Sequence, residues 1–163
     1  MDILFLSVAD VKREQLDQLA LYGGGEPGVL SETRLDSAVN APMQTFGGEY
    51  LLKDVFEMAA GYLEYLLMGH AFGNGNKRVS LATALEFLFI NGYMVEFDAM
   101  EMAQVVLDLA EHKTDSQKVA ELFRTNNQPV NFVLAGLTAD ERLDMASHWM
   151  HKAYAPAFRK LAE

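Results

Sequence analysis

A chain of 163 residues, half of them hydrophobic, is long enough to bury one substantial core and short for two. Its formal net charge of −10 excludes a protein that wraps nucleic acid, which needs clustered Lys and Arg; a protein partner and a small anionic ligand are expected instead. The absence of cysteine excludes disulfides and thiolate metal sites and is compatible with the reducing cytoplasm.

The start, Met1 to Ser7, lacks the basic residues and long apolar span of a signal peptide. Ile3 to Leu6 reads as a short edge strand. Ser7, with Asp10 in the first turn, caps a helix through Leu21. A glycine-rich loop from Tyr22 to Gly28 follows. Ser31 then caps a short helix ending at Asn40, with Leu30 and Leu35 as a hydrophobic staple.

Met43 to Tyr50 has no helical period, and Gly47-Gly48 suits a small hairpin. Leu51 to Gly69 reads as a helix, with Leu52, Val55, Phe56, Ala59, Leu63, Leu66 and Leu67 at three- and four-residue steps. Asn76 to Asn91 is apolar nearly all round, which predicts the central helix of the domain. Glu64, Lys77 and Glu86 interrupt this most hydrophobic region, so no stretch approaches the ~20 apolar residues of a membrane span.

After Gly92, Tyr93 to Phe97 reads as a short strand. Asp98 with Glu101 caps a helix to Ala110, and Thr114 with Gln117 caps another to Thr125. Asn126 to Pro129 breaks the pattern. Thr138 and Glu141 form a capping box for a long helix striped by Leu143, Ala146, Met150, Tyr154, Phe158 and Leu161, with Pro156 expected to interrupt it. That stripe needs a cover, either the chain's own body or a second copy in a homodimer. His148 and His151 lie one turn apart on this helix, but no third metal ligand is in view.

Between the two most apolar helices lies His70-Ala-Phe-Gly-Asn-Gly-Asn-Lys-Arg78. Gly73 and Gly75 let backbone N–H groups converge, and the following helix adds its unpaired first-turn donors and the positive end of its dipole. Lys77 and Arg78 add charge, Arg78 as a planar fork suited to two phosphate oxygens. His70 stands beside this cradle as a candidate proton acceptor. Phe72, an aromatic in a polar turn, is expected to point into the core as an anchor. Glycine and asparagine are also ordinary turn residues, so the loop alone does not fix a chemistry.

The same nine residues resemble the signature of the Fic/Doc superfamily, His-Pro-Phe-x-(Asp/Glu)-Gly-Asn-(Gly/Lys)-Arg, and more closely its death-on-curing (Doc) branch. The likeness runs from Leu4 to Arg124. Tyr22 to Gly28 with Leu35 to Ala38 resembles the entry segment, Phe46-Gly47-Gly48-Glu49-Tyr50 the target-peptide flap, and Phe87 to Tyr93 the stretch after the loop. The resemblance implies a mainly α, single-domain helical bundle with a small flap hairpin, here residues 1–126; the C-terminal amphipathic helical extension at 127–163 lies beyond the resemblance.

For activity, the resemblance implies a transferase with His70 as base. Gly73, Asn74, Gly75, Asn76, Lys77 and Arg78 would hold the nucleotide, with Lys77 and Arg78 also serving catalysis. Glycine at the position of Lys77 marks most AMP-transferring Fic enzymes and lysine marks Doc-type kinases, so ATP-dependent phosphorylation of a protein hydroxyl is expected. A translation elongation factor is the family-implied target. Fic-type AMP transfer is the alternative. Asn74 stands where the family has Asp or Glu to hold Mg2+, which weakens the metal site and leaves a catalytically degenerate binding protein as a third reading; Glu49 is a candidate substitute carboxylate. No inhibitory Ser/Thr-x-x-x-Glu-(Gly/Asn) helix is found, so restraint is expected from a separate antitoxin.

Overall fold

The computed structural model describes residues 2–163. Ser7 and Asp10 form a reciprocal capping box that opens α1 (Val8–Tyr22), and Ser31 caps α2 (Glu32–Asn40). After a 3-10 turn at Ala41–Met43, β1 (Thr45–Phe46) and β2 (Glu49–Tyr50) make the expected hairpin. Gly47 and Gly48 both take positive φ, 62° and 85°, which a two-residue hairpin turn of this hand requires. The next helix, α3 (Val55–Gly69), begins four residues later than Leu51, because Asp54 accepts the Glu57 N–H and sets the start.

α4 (Asn76–Ile90) is the axis of the fold, with every residue from Arg78 to Ile90 buried. α3 and α1 pack on it from the N-terminal half of the chain, α2 and α6 (Ser116–Thr125) lie on α3, and α5 (Ala99–Ala110) follows after β3 (Tyr93–Val95). Asp115, not Thr114, caps α6. β3 pairs antiparallel with β4 (Asn127–Pro129), so the pattern break at Asn126 is a strand partner of the domain.

Ile3 to Leu6 forms no strand. The amide of Asn91 instead brackets the backbone of Leu4, accepting its N–H at 2.9 Å and donating to its carbonyl at 2.9 Å, and Leu6 N–H donates to Tyr62 Oη. Leu30 does not form a buried staple with Leu35: it is 75% exposed, whereas Leu35 is fully buried.

The C-terminal part comprises the short α7 (Asn131–Leu134), α8 (Ala139–Ala153) behind its Thr138–Glu141 capping box, and α9 (Ala155–Leu161). Pro156 sits in the first turn of α9, where its missing N–H costs nothing. The whole apolar stripe from Leu143 to Leu161 is buried, α8 against α4 and α9 against α5. The chain's own body is therefore the cover, and the stripe offers no face for a homodimer. No helix among the described residues is long and apolar enough to cross a membrane.

Candidate active site

His70 ends α3 in the left-handed region, at φ 45° and ψ 45°. A non-glycine residue there carries a backbone cost of about 1–3 kcal/mol, which persists only where surrounding structure fixes it. Here the fixing is visible. The carbonyl of Ala71 accepts N–H bonds from both Leu30 (2.7 Å) and Ser31 (3.2 Å), and Phe72 makes an antiparallel bridge with Val29. The Phe72 ring is buried at 2% exposure, as expected of an anchor, while His70 itself is exposed.

The rest of the loop is tied from two sides. Asn76 brackets Phe72, and Gln15 of α1 donates to the carbonyls of Asn74 (3.1 Å) and Gly28 (3.4 Å) while accepting from Gly28 N–H (3.2 Å). Gly25, at φ 137°, lies so close that a Cβ there would fall 2.1 Å from Asn74 Cγ. Gly75 is the N-cap of α4 and brings no side-chain acceptor, so the first-turn N–H groups stay available to an anion.

A cavity of about 300 Å³ opens over this loop, lined by His70, Gly73, Asn74, Gly75, Asn76 and Lys77 together with Leu67, Met68, Ala110 and Leu161. A wider groove of about 740 Å³, lined by Thr33, Arg34, Ser37, Tyr65 and Met68, adjoins it, and His70 lines both. An imidazole between an anion cradle and an open groove can pass a proton from a group in the groove while a phosphate is held in the cradle. A third cavity, about 370 Å³ beside Asn91, Tyr93 and Arg142, contains no histidine and shares no residue with the loop.

Arg78, expected as a phosphate fork, commits Nη1 to protein carbonyls and leaves Nε without a hydrogen-bond partner. The residue is 2% exposed, and its guanidinium turns toward the C-terminal end of α1, where Nη1 donates to the carbonyls of Gly23 (2.6 Å) and Gln18 (3.3 Å). Burial lowers its pKa from the ordinary value, yet a guanidinium keeps its charge in proteins. Nη2 comes within 3.6 Å of where a Cβ on Gly75 would lie, so the charge sits beneath the cradle. Asn76 likewise spends its side chain on Phe72, leaving its backbone N–H for a ligand. Lys77 is exposed and lines the cavity.

The flap residues stand apart from the loop. Phe46 is 82% exposed, Tyr50 leans on Phe5 at 5.6 Å between ring centroids, and Glu49 lines neither the cavity nor the groove at His70. Glu49 therefore does not replace a missing metal ligand. Asn74 offers a neutral oxygen, its Nδ2 directed at the Glu26 carbonyl (3.4 Å), and among the described residues no three His, Asp or Glu side chains gather as a metal site. A hard dication prefers anionic oxygens, so these residues do not fit a resident magnesium ion.

Gln15, Gln18 and Glu14 are the residues that sequence reading missed. They are buried on the core face of α1 beside Val11, and polar side chains at apolar-stripe positions were the available signal.

The family profile described as Fic/DOC matches residues 5–88. The chain is 34% identical over 101 residues to "Protein kinase doc" of Escherichia phage P1, covering 62% of this chain and 79% of that protein. It is 33% identical over 99 residues to "Toxin Doc" of Mycolicibacterium smegmatis, covering 60% and 76% respectively. The loop that carries His70, the uncapped start of α4 and the hairpin all fall within the matched residues, and the chain belongs to the Fic/DOC family, on its Doc branch.

Proposed function

We propose that this protein is a Doc-type toxin-like transferase that moves the γ-phosphoryl group of ATP to a hydroxyl of a target protein. The observation that carries the reading is the position of His70, which lines both the anion cradle and the adjoining groove. With the acceptor segment in the groove, the His70 imidazole takes the proton of a serine, threonine or tyrosine hydroxyl. The hydroxyl oxygen bonds to the γ-phosphorus as the bond to the β,γ-bridging oxygen breaks, and ADP leaves. Backbone N–H groups at the start of α4, Lys77 and the buried charge of Arg78 stabilise the transferring group.

The names of the two relatives, one a kinase and both Doc, support this reading, and Lys77 favours it over AMP transfer. A translation elongation factor is the target to try first, and a separate antitoxin is the expected restraint. The acidic chain, with net charge −10, suits a basic docking segment on that antitoxin. Incubation with γ-labelled or α-labelled ATP and purified elongation factor tests it. Transfer of γ-label, lost in His70→Ala, is expected; transfer of α-label alone would replace the reading with AMP transfer.

Asn74 favours a second reading, a family member that binds nucleotide or protein without transferring anything, because no carboxylate lines the cavity. Nucleotide binding without transfer, in both the natural chain and Asn74→Asp, would establish it.

A further inference from the structure

The cavity over the loop has a mixed lining. Its polar residues are those of the cradle, and its apolar residues are Leu67 and Met68 of α3, Ala110 at the end of α5, and Leu161 at the end of α9. Leu161 comes from the C-terminal helices, beyond the residues that the family profile matches. It reaches the cavity because α9 is clamped to the end of α1. Phe158 is fully buried and packs on Tyr22 at 5.5 Å, Tyr22 Oη lies 2.9 Å from His151 Nδ1, and His151 Nε2 lies 2.9 Å from Glu14 Oε1. The Ala162 carbonyl comes within 3.5 Å of where a Cβ on Gly24 would lie. The turn that α9 covers, Gly23 to Gly25, is the same turn that receives Arg78 and packs on Asn74. The wall is thus set by the same turn that fixes the cradle.

We propose that the C-terminal extension completes the ligand site, with Leu161 as a specificity-determining residue that contacts the nucleoside end of a nucleoside triphosphate while the cradle holds its phosphates. This rests on the nucleotide reading above and goes beyond it in assigning a part of the chain outside the family match to ligand selection. An apolar wall beside an anion cradle selects a ligand with a flat, weakly polar group joined to a phosphate chain over a phosphate chain alone.

The test is binding by the full chain of ATP and of inorganic tripolyphosphate, followed by calorimetry, for the natural protein, Leu161→Ala and Leu161→Met. The natural chain should prefer ATP. Leu161→Ala should weaken ATP binding about fivefold, the size expected for losing a minor part of one leucine contact, since Leu161 is already 7% exposed without ligand, and leave tripolyphosphate binding unchanged; Leu161→Met should restore ATP binding. Equal affinity for the two ligands in the natural chain, or equal loss of both in Leu161→Ala with its thermal transition preserved, overturns the proposal. A natural chain that binds neither ligand overturns this proposal and the nucleotide reading together. Selective ATP binding without transfer removes the kinase reading alone.

Discussion

Asn76 holds both polar backbone groups of Phe72 with one amide: Nδ2 donates to the carbonyl at 2.8 Å, and Oδ1 accepts the N–H at 3.1 Å. The bond pair closes the loop on the first residue of the helix that the loop feeds, so the turn and α4 are one rigid piece. Asn76→Ala breaks both bonds and should cost about 1–3 kcal/mol in urea unfolding. Asn76→Asp keeps the acceptor but sets a carboxylate against a carbonyl, and should give a comparable loss. Ligand affinity should fall in both, since the cradle's N–H groups lose their fixed spacing. Unchanged stability in Asn76→Ala would mean that the bracket is not needed.

Arg78 tests whether a buried cation acts mainly through structure. Arg78→Lys replaces the planar guanidinium, whose Nη1 serves both the Gly23 and Gln18 carbonyls, with a compact ammonium on a shorter stem, and Arg78→Ala leaves both unanswered. The alanine variant should lose about 2–3 kcal/mol, the scale for charged hydrogen bonds with buried partners, in the absence of any ligand. A side chain serving only a phosphate would show no such loss without ligand, so a melting curve of the free protein separates the two roles.

The sequence made local devices legible. The capping boxes at Ser7–Asp10 and Thr138–Glu141, the turn at Gly47-Gly48 and the apolar circumference of α4 follow from residues within one or two turns of each other. The loop stood out as a candidate cradle because its glycines, lysine and histidine lie within nine consecutive residues. What escaped depends on partners far along the chain. Gln15 meets Asn74 across 59 residues, Arg78 meets Gly23 across 55, and Leu161 enters the cavity from the far end of the sequence. That Nη1 of Arg78 meets carbonyls at the end of α1 shows only in the packing, because charge alone suggests solvent. Ile3 to Leu6 misled for a related reason: its β-like residues are extended, but Asn91 and Tyr62 satisfy the backbone where a strand was expected to.

Asn74→Asp should restore an anionic oxygen at the loop. The exchange removes the donor to the Glu26 carbonyl and sets like charge density against it, so a stability loss of about 1 kcal/mol is expected. In return, ATP affinity should become dependent on magnesium. The check is calorimetric titration with and without the metal; the same metal dependence in both proteins would count against the cavity position of Asn74.

Removal of residues 127–163 should abolish folding of the remainder. Ala146, Met150, Ala157 and Phe158 are all fully buried against α4 and α5, and each large apolar side chain buried contributes about 1.5–3 kcal/mol against a typical total of about 5–15. The truncated chain would also lose β4, the partner of β3. Circular dichroism of a chain ending at Asn126 should show no cooperative melt. A cooperative melt near that of the full protein would mean that the extension merely rests on the domain.

The buried pair Glu86 and Glu14 makes stability depend on pH in a direction opposite to most carboxylates. Both are at most 5% exposed; burial first, then the charge of Glu14 and a hydrogen bond with it, and the more distant Asp17 and Asp10, push the Glu86 carboxyl well above its usual range. His151 and Gln18 face the pair from α8 and α1, Gln18 Nε2 donating to Glu14 Oε1 at 3.1 Å. In the unfolded chain Glu86 gives up its proton at the ordinary value, so above that pH the folded state binds the extra proton. The contribution is therefore full below the unfolded pKa and is lost as pH rises toward the folded one, with a slope of at most about 1.4 kcal/mol per pH unit. Glu86→Gln keeps a hydrogen-bond donor toward Glu14 without a titrating proton, so its stability relative to the natural chain should grow from pH 5 to pH 8. Urea unfolding at each pH reads this directly, and parallel curves for the two proteins would show that Glu86 holds no extra proton in the folded state.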